Sequence, residues 1–210
     1  MVFAPNSFQT LEAEQRYQEM HVRVSQFQDN LGGEVDEGIF ETVVMLNLAG
    51  FTTHQSCEGH LDHGLPYPWV TVIDVEQDRL FTRQWLEVCE LEEQAKEAGT
   101  QEAYDRWLAT DVQLRLIIVR CEQDSTLHQR LTDLLDTFYA HASTPGPVRL
   151  VVKRFRSTAT YRIEPGFAAL AEELPASFKA DYLERGQMEM QAFTAFLKQR
   201  IFEQKEKRSA

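Results

Sequence analysis

The chain has 210 residues, a mass of 24.3 kDa and a formal net charge of −12, and its length fits a single domain over residues 1–210. This negative charge argues against a general surface for duplex DNA, because phosphate contacts need clustered Lys and Arg side chains. No apolar run approaches the ~18 residues of a membrane span and no leader pattern opens the chain, so we expect a cytoplasmic protein without a membrane segment.

Hydrophobic periodicity and turn residues outline the first third of the chain. The predicted elements are a helix over Ser7 to Gln28, a helix over Asp36 to Ala49, a strand over Phe51 to Ser56, a loop over Cys57 to Pro68 and a strand over Trp69 to Val75. Asp36 is expected to cap the second helix with its side chain, and Gly50 to end it in a left-handed conformation. Glycines and prolines predict the loop, because they interrupt regular structure.

The remaining two thirds of the chain continue to alternate between helices and strands. The predicted elements are a helix over Asp78 to Ala98, a strand after Asp111 that includes Leu114 to Val119, a helix that Asp124 or Ser125 caps and that runs to about Ala142, strands over Val148 to Phe155 and Thr158 to Glu164, a short helix over Phe167 to Leu174 and a long helix from Pro175 to about Lys205. The strand after Asp111 depends on a short apolar run, which periodicity alone does not distinguish from a buried helix.

These elements predict an α+β domain, with a mixed sheet of four or five strands packed with helices. The long C-terminal helix, residues 175–205, is interpreted as a helical extension or as a dimerisation helix, with Gly186 as a point where it is interrupted. The tryptophans Trp69, Trp85 and Trp107 are expected to anchor the core, because large aromatic rings bury much apolar area.

Side chains that bind metals are concentrated between Gly50 and Gly64. His54, Cys57, His60 and His63 recur there at every third position. Zn²⁺ accepts Cys sulfur and His nitrogen as ligands. Because side chains alternate along a strand, His54 and Cys57 should point to opposite faces. We therefore predict a zinc site formed by Cys57, His60 and His63, with an open fourth position that suits catalysis.

The same residues also fit catalysis without a metal. Cys57, His60 and Glu58 are the candidate catalytic residues: Cys57 as a thiolate next to the imidazole of His60, or Glu58 as a base for metal-bound water. Ser56 is a candidate ligand-binding residue. The structural alternative is a loop with solvated histidines and a half-buried thiol. Three cysteines in total, an odd number, argue against a disulfide scaffold.

A second candidate site is basic. Residues 149–162 contain five cations and no acid: Arg149, Lys153, Arg154, Arg156 and Arg162. Arg154 and Arg156 are the candidate ligand-binding residues on this strand, for a small anionic ligand or single-stranded RNA. A solvated edge strand is the structural alternative, since cations on sheet edges block aggregation. The enzyme hypothesis predicts that Cys57, His60 and His63 share a pocket that has this strand on its wall.

Part of the chain resembles a known family. The pattern Asp36-x-x-Ile39, Asn47, then Thr53-x-x-Ser56-Cys57-x-Gly59 resembles the tRNA wybutosine-synthesis methyltransferases of the third-step type. In this chain Gln55, Glu58 and His60 stand where that family has Ser, Ser and Arg. The resemblance covers roughly residues 36–60 and implies S-adenosylmethionine and an RNA base as ligands. The run from Ser56 to His60 also resembles a motif of small bacterial and phage proteins.

The sequence therefore leads to two hypotheses from different classes. In the first, a Cys/His site acts on a nucleotide-like or RNA ligand with zinc as the candidate metal. In the second, the protein is a non-catalytic binding or regulatory protein that forms a homodimer through its C-terminal helix.

Overall fold

The computed structural model describes residues 6–28, 33–123, 126–140, 144, 146–154, 160–171 and 173–203. The elements in chain order are α1 (Asn6–Val24), α2 (Glu37–Leu48), β1 (Thr52–Cys57), β2 (Trp69–Ile73), α3 (Val75–Ala98), α4 (Gln101–Gln123), α5 (Thr126–Tyr139), β3 (Leu150–Arg154), β4 (Thr160–Pro165), a 3-10 helix (Gly166–Leu170) and α6 (Ala176–Glu203). The fold is α+β, as predicted, with four strands in its sheet.

All neighbouring strands of the sheet run antiparallel, in the order β1-β2-β4-β3. The prediction of a mixed sheet is therefore wrong. β1 and β3 are its two edges. The pairing of β1 with β2 slips by one residue between Thr53 and Gln55, and Cys57 at the end of β1 lies opposite Trp69. The irregularity at His54 changes the side-chain alternation along the strand.

The main hydrophobic core lies between the sheet and the helices α2, α5 and α6. Val70, Val72 and Ile163 of the central strands are fully buried there, together with Phe193 and Leu197 of α6. Full burial of an aliphatic or aromatic side chain contributes roughly 1.5–3 kcal/mol, so these residues fix the position of α6 on the body. A dimer formed through the outer face of α6 stays a prediction.

Gly186 does not interrupt α6, which continues through it as a regular helix. Close packing against neighbouring elements explains why glycine occupies this position. A Cβ atom at this position would lie 3.0 Å from Pro68 Cδ and 3.2 Å from Pro165 Cγ. The glycine therefore brings α6 against the loop that precedes β2.

The predicted strand over Leu114 to Val119 is wrong, because this run belongs to α4. Gly99, with φ +60°, turns the chain so that α4 packs back on α3, and Leu114 is buried in that helical hairpin. An apolar run with one buried position per turn satisfies a helix as well as a strand. The predicted start of α3 at Asp78 is also wrong, since the Asp74 carboxylate accepts a hydrogen bond from the Gln77 N–H and caps the helix.

Several large apolar side chains of the α3–α4 hairpin face solvent. Trp85 is 51% exposed, so the prediction that it anchors the core is wrong.

The predicted caps Asp124 and Ser125 lie outside the described residues. Among the helices that the structure describes, none combines the length and apolar composition that crossing a membrane requires.

Candidate metal centre at the start of helix α2

The turn between α2 and β1 brings the start of the helix next to the end of the strand. Gly50, with φ +83°, allows the reversal. α2 has 12 residues and β1 has 6, which correspond to about 18 Å and about 20 Å. Asp36, just before α2, therefore lies at the same end of the molecule as Cys57, the last residue of β1.

Asp36, Cys57 and His60 form a compact group, called here the Asp36–Cys57–His60 cluster. One ligand atom from each lies within 4.8 Å of the others, and all three side chains are half-buried. The Asp36 Oδ2 to His60 Nε2 distance is 3.4 Å. Ligands at 2.0–2.3 Å from a tetrahedral ion are separated by about 3.3–3.8 Å, so only a small contraction would be needed to bind one.

The Asp36 side chain does not cap α2 as predicted. Its Oδ2 atom instead accepts a hydrogen bond of 3.0 Å from the backbone N–H of Glu58, across 22 residues of sequence. This bond fixes the carboxylate against the loop that carries the thiol and the imidazole. The sequence pattern marked Asp36 as a helix-capping residue and as part of a family motif, but not as a metal ligand.

Glu58 takes over the capping of α2. Its Oε2 atom accepts a hydrogen bond of 2.6 Å from the Gly38 N–H, where the absence of a side chain permits the close approach. The Glu58 carbonyl accepts a bond from Gln187 of α6. A carboxylate at a helix N-terminus is stabilised by the helix dipole, which gives Glu58 a structural role. The predicted role of Glu58 as a catalytic base stays a prediction.

Gly59 makes the turn between the thiol and the imidazole. Its φ is +87°, and a Cβ atom there would lie 2.6 Å from both Leu183 Cδ1 and the carbonyl carbon of Tyr67. The Gly59 N–H donates to Cys57 Sγ at 3.3 Å, and the His60 N–H donates to the Leu65 carbonyl at 3.0 Å. Only glycine satisfies this backbone conformation and this packing.

His63 lies beside the cluster, not within it. Its ring stacks on that of His60 with 4.0 Å between the ring centroids. His63 Nδ1 is 2.8 Å from Asp62 Oδ1, and both side chains are largely exposed. His60, Asp62 and His63 form a second, more exposed group of ligand atoms within 4.8 Å. Of the predicted set, Cys57 and His60 are thus joined by Asp36, while His63 supports the ring of His60 from outside.

The surroundings of Cys57 favour its protonated form. Burial raises the pKa of the Cys57 thiol above its usual range, and the negative charges of Asp36 and Glu58 raise it further. The hydrogen bond from the Gly59 N–H lowers the pKa, but its effect is smaller than that of burial. An activated thiolate needs cations around it, whereas this thiol has carboxylates. A bound cation would reverse this balance by stabilising the thiolate as a ligand.

The cluster opens into a cavity of about 550 Å³, called here the carboxylate cavity. Cys57, His60 and His63 all line it, as the enzyme hypothesis predicts, and so does Ser56. His54 lines it as well, although strand alternation predicted the opposite face for its side chain. The irregular pairing at this residue is the physical reason for the difference.

The basic strand is not part of the cavity wall, because Arg154 lies on β3, at the edge of the sheet opposite β1. Lys153 of β3 and Arg162 of β4 both pair with Glu164 of β4, at 3.1 Å and 3.7 Å, so this carboxylate offsets part of the positive charge. A ligand-binding role of Arg154 stays a prediction for a separate location, and Arg156 lies outside the described residues.

The motif residues that suggested a family resemblance contact one another in the structure. Asn47 Nδ2 donates to Thr53 Oγ1 at 2.7 Å and to the Val43 carbonyl, which joins the end of α2 to β1. No protein-family model, curated protein or solved structure matches the chain significantly. The resemblance to the wybutosine-synthesis methyltransferases, with its implied S-adenosylmethionine and RNA ligands, stays a prediction.

Proposed function

We propose that the protein binds a Zn²⁺-type transition metal at Asp36, Cys57 and His60 and uses it to activate a water molecule for hydrolysis of a small substrate. The observation that carries this proposal is the convergence of one carboxylate, one thiol and one imidazole on the wall of a cavity. Carboxylate oxygen, thiolate sulfur and imidazole nitrogen are the three ligand types that zinc accepts.

The number of ligands favours a catalytic over a structural metal. Structural zinc sites are closed by four protein ligands, whereas catalytic sites have three and leave one position for water or substrate. Among the described residues these three side chains converge, and all three line a cavity whose volume suits a small molecule. A metal in this position lowers the pKa of bound water and polarises a substrate carbonyl or phosphoryl oxygen.

The metal-free alternative, a Cys57 thiolate as nucleophile, has less support. The negative charges nearest the thiol, Asp36 and Glu58, oppose its ionisation. The same carboxylates attract a cation.

Metal binding is tested with purified protein that is stripped of metal and then loaded with Zn²⁺ or Co²⁺. We expect one tightly bound zinc ion per chain and a clear rise in melting temperature with Zn²⁺. Cobalt should give a thiolate-to-metal charge-transfer band in the near ultraviolet, which reports coordination by Cys57. The variants Asp36→Asn, Cys57→Ser and His60→Gln should each lower zinc affinity by about 100-fold or more.

The matched controls are His54→Gln, which changes a histidine of the same cavity outside the cluster, and Cys89→Ser, which changes a cysteine of α3. Both should keep the affinity of the unchanged protein. Equal zinc affinity in Cys57→Ser and Cys89→Ser would contradict the proposed ligand set.

The proposed hydrolytic activity is tested with ester, amide and phosphoester substrates. Stoichiometric zinc without turnover of any substrate class would contradict hydrolysis while retaining the metal site.

A further inference from the structure

A second cavity lies at the opposite end of α2 from the Asp36–Cys57–His60 cluster. It has a volume of about 540 Å³ and lies where the end of α2, the turn after it, α1, α5 and α6 come together. We call it the arginine cavity, because Arg16, Arg130 and Arg200 line it. Both its size and its mixed polar and apolar lining are typical of small-molecule sites.

The three arginines come from three different helices and give the arginine cavity a positive charge. Among the described residues that line it, Asp133 is the one acid, so their formal charge is +2 in a chain whose net charge is −12. Within the described residues, Arg16 and Arg200 have no carboxylate within ion-pair distance. No described carboxylate therefore competes for these guanidinium donors with an anion, which arginine binds through paired hydrogen bonds.

Arg130 is held in place by contacts with the turn after α2. Its guanidinium carbon is 4.8 Å from the centre of the Phe51 ring, and its Nη2 atom is 3.4 Å from the carbonyl oxygen of Gly50. Stacking on an aromatic ring leaves the edges of a guanidinium group free to donate. Arg130 is thus an oriented donor group at the rim of the cavity.

The floor of the arginine cavity is apolar. Phe51, Leu134 and Leu197 line it and belong to the main core, with Ile201 at its side. A simple phosphate or sulfate ion gains no binding energy from an apolar surface. An apolar group attached to the anion would be buried there, which favours binding.

We infer that the arginine cavity binds an amphiphilic anion, that is, a carboxylate or phosphate monoester attached to an apolar group. The arginines would contact the anionic head, and the floor at Phe51, Leu134 and Leu197 would accept the apolar part. This site does not depend on the proposed metal centre, from which α2 separates it by its full length.

Binding is measured by titration calorimetry on the full chain with decanoate, decyl phosphate, inorganic phosphate and decanol, below the micelle concentration. We expect decanoate or decyl phosphate to bind at least tenfold more tightly than inorganic phosphate and than decanol. The stronger of the two identifies the natural head group as a carboxylate or a phosphate monoester. Affinity should fall with salt, because the head group binds through charge.

Two kinds of variant separate head-group binding from apolar binding. Arg130→Gln and Arg200→Gln should each weaken binding of the preferred amphiphile at least fivefold, whereas Arg106→Gln on α4, with the same change of charge, should not. Thr137→Trp fills the cavity with an indole ring and keeps the arginines, so it should abolish amphiphile binding. Thr137 is exposed at the lining and its hydroxyl donates to the Asp133 carbonyl within its own helix, so the fold should tolerate this change.

Equal losses in Arg130→Gln and Arg106→Gln would overturn the inference, because the anion would then respond only to overall charge. Amphiphile binding that survives Thr137→Trp would overturn it too, since the apolar part would then lie elsewhere. Circular dichroism and melting temperature of each variant confirm that a loss of binding is not a loss of fold.

Discussion

The two ends of helix α2 carry opposite chemistry. At its N-terminal end lie Asp36 and Glu58, together with a thiol and two stacked imidazoles. At its C-terminal end lies a cavity with three arginines. A helix carries about half a positive charge at its N-terminus and half a negative charge at its C-terminus, so each group of side chains matches the helix end that it faces.

One helix thus separates two kinds of binding site. Carboxylates that the N-terminus of α2 stabilises are available to a cation, and arginines near its C-terminus are available to an anion. Because the helix spans about 18 Å, charges at its two ends are beyond a Debye length of each other at physiological salt. The two sites should therefore respond independently to mutation.

The largest effect is expected from Gly59→Ala, which breaks only the N-terminal site. The new Cβ would collide with Leu183 and with the backbone of Tyr67, and residue 59 would have to keep a left-handed backbone conformation. We therefore expect the free energy of unfolding to fall by roughly 2–4 kcal/mol. Gly64→Ala is the control, because Gly64 also has a positive φ of +67° but no atom within 4 Å of its Cβ position. Strain alone should cost it about 1 kcal/mol. Urea denaturation measures both, and similar losses would contradict the packing explanation.

An intermediate effect is expected from changes to the two side chains that contact the backbone at the two ends of α2. Glu58→Gln weakens the charge-assisted hydrogen bond to the Gly38 N–H and should lower the free energy of unfolding by about 1–2 kcal/mol. Arg130→Gln removes the cation that contacts the Gly50 carbonyl, just after the C-terminal end of α2, and should lower the free energy of unfolding by about 0.5–1 kcal/mol.

The double variant tests the independence of the two ends. We expect the two losses of stability to add to within about 0.5 kcal/mol, as is usual for distant sites. A coupling above 1 kcal/mol would show that the two sites communicate through α2 and are not independent.

The smallest effect is chemical and leaves stability unchanged. In metal-free protein, the raised pKa of Cys57 keeps its thiol protonated near neutral pH, so alkylation by iodoacetamide should be slow there. The rate should rise as the pH passes through this raised pKa, which lies above the usual range for cysteine. Mass spectrometry follows Cys57 and compares it with Cys89 on the distant α3. Fast alkylation of Cys57 at neutral pH would contradict the raised pKa that burial and the carboxylates produce, and bound zinc should suppress the reaction.

Several features of the candidate metal centre were predictable from local sequence. Cys57 and His60 are close in sequence on either side of Gly59, which allows a tight turn, so their proximity follows from chain connectivity. Asp36 was within reach of the same reasoning, because a helix of 12 residues and a strand of 6 joined by a tight turn have similar lengths. The sequence pattern also offered Asp36 a local role as a helix cap, and the tertiary contact with Glu58 overrode it.

The errors in the predicted fold have a common origin. Leu114 to Val119 is a short apolar run, and both a strand and a helix can bury it. The run is helical because α4 packs on α3 after the turn at Gly99. This packing is a contact between two elements, which a local sequence pattern does not reveal. Trp85 is exposed for a related reason, since the hairpin buries only the seam between its own two helices.

Local sequence was enough to predict the α+β class, most of the helices and strands, and the bend that holds a thiol close to an imidazole. These properties depend on periodicity, turn residues and neighbours a few positions apart. The packing of distant elements brings Asp36 into the cluster, places Arg154 at the opposite edge of the sheet, and gathers arginines at positions 16, 130 and 200 around one cavity. Groups so far apart in the chain meet only through the packing of whole elements, and no local pattern encodes that packing.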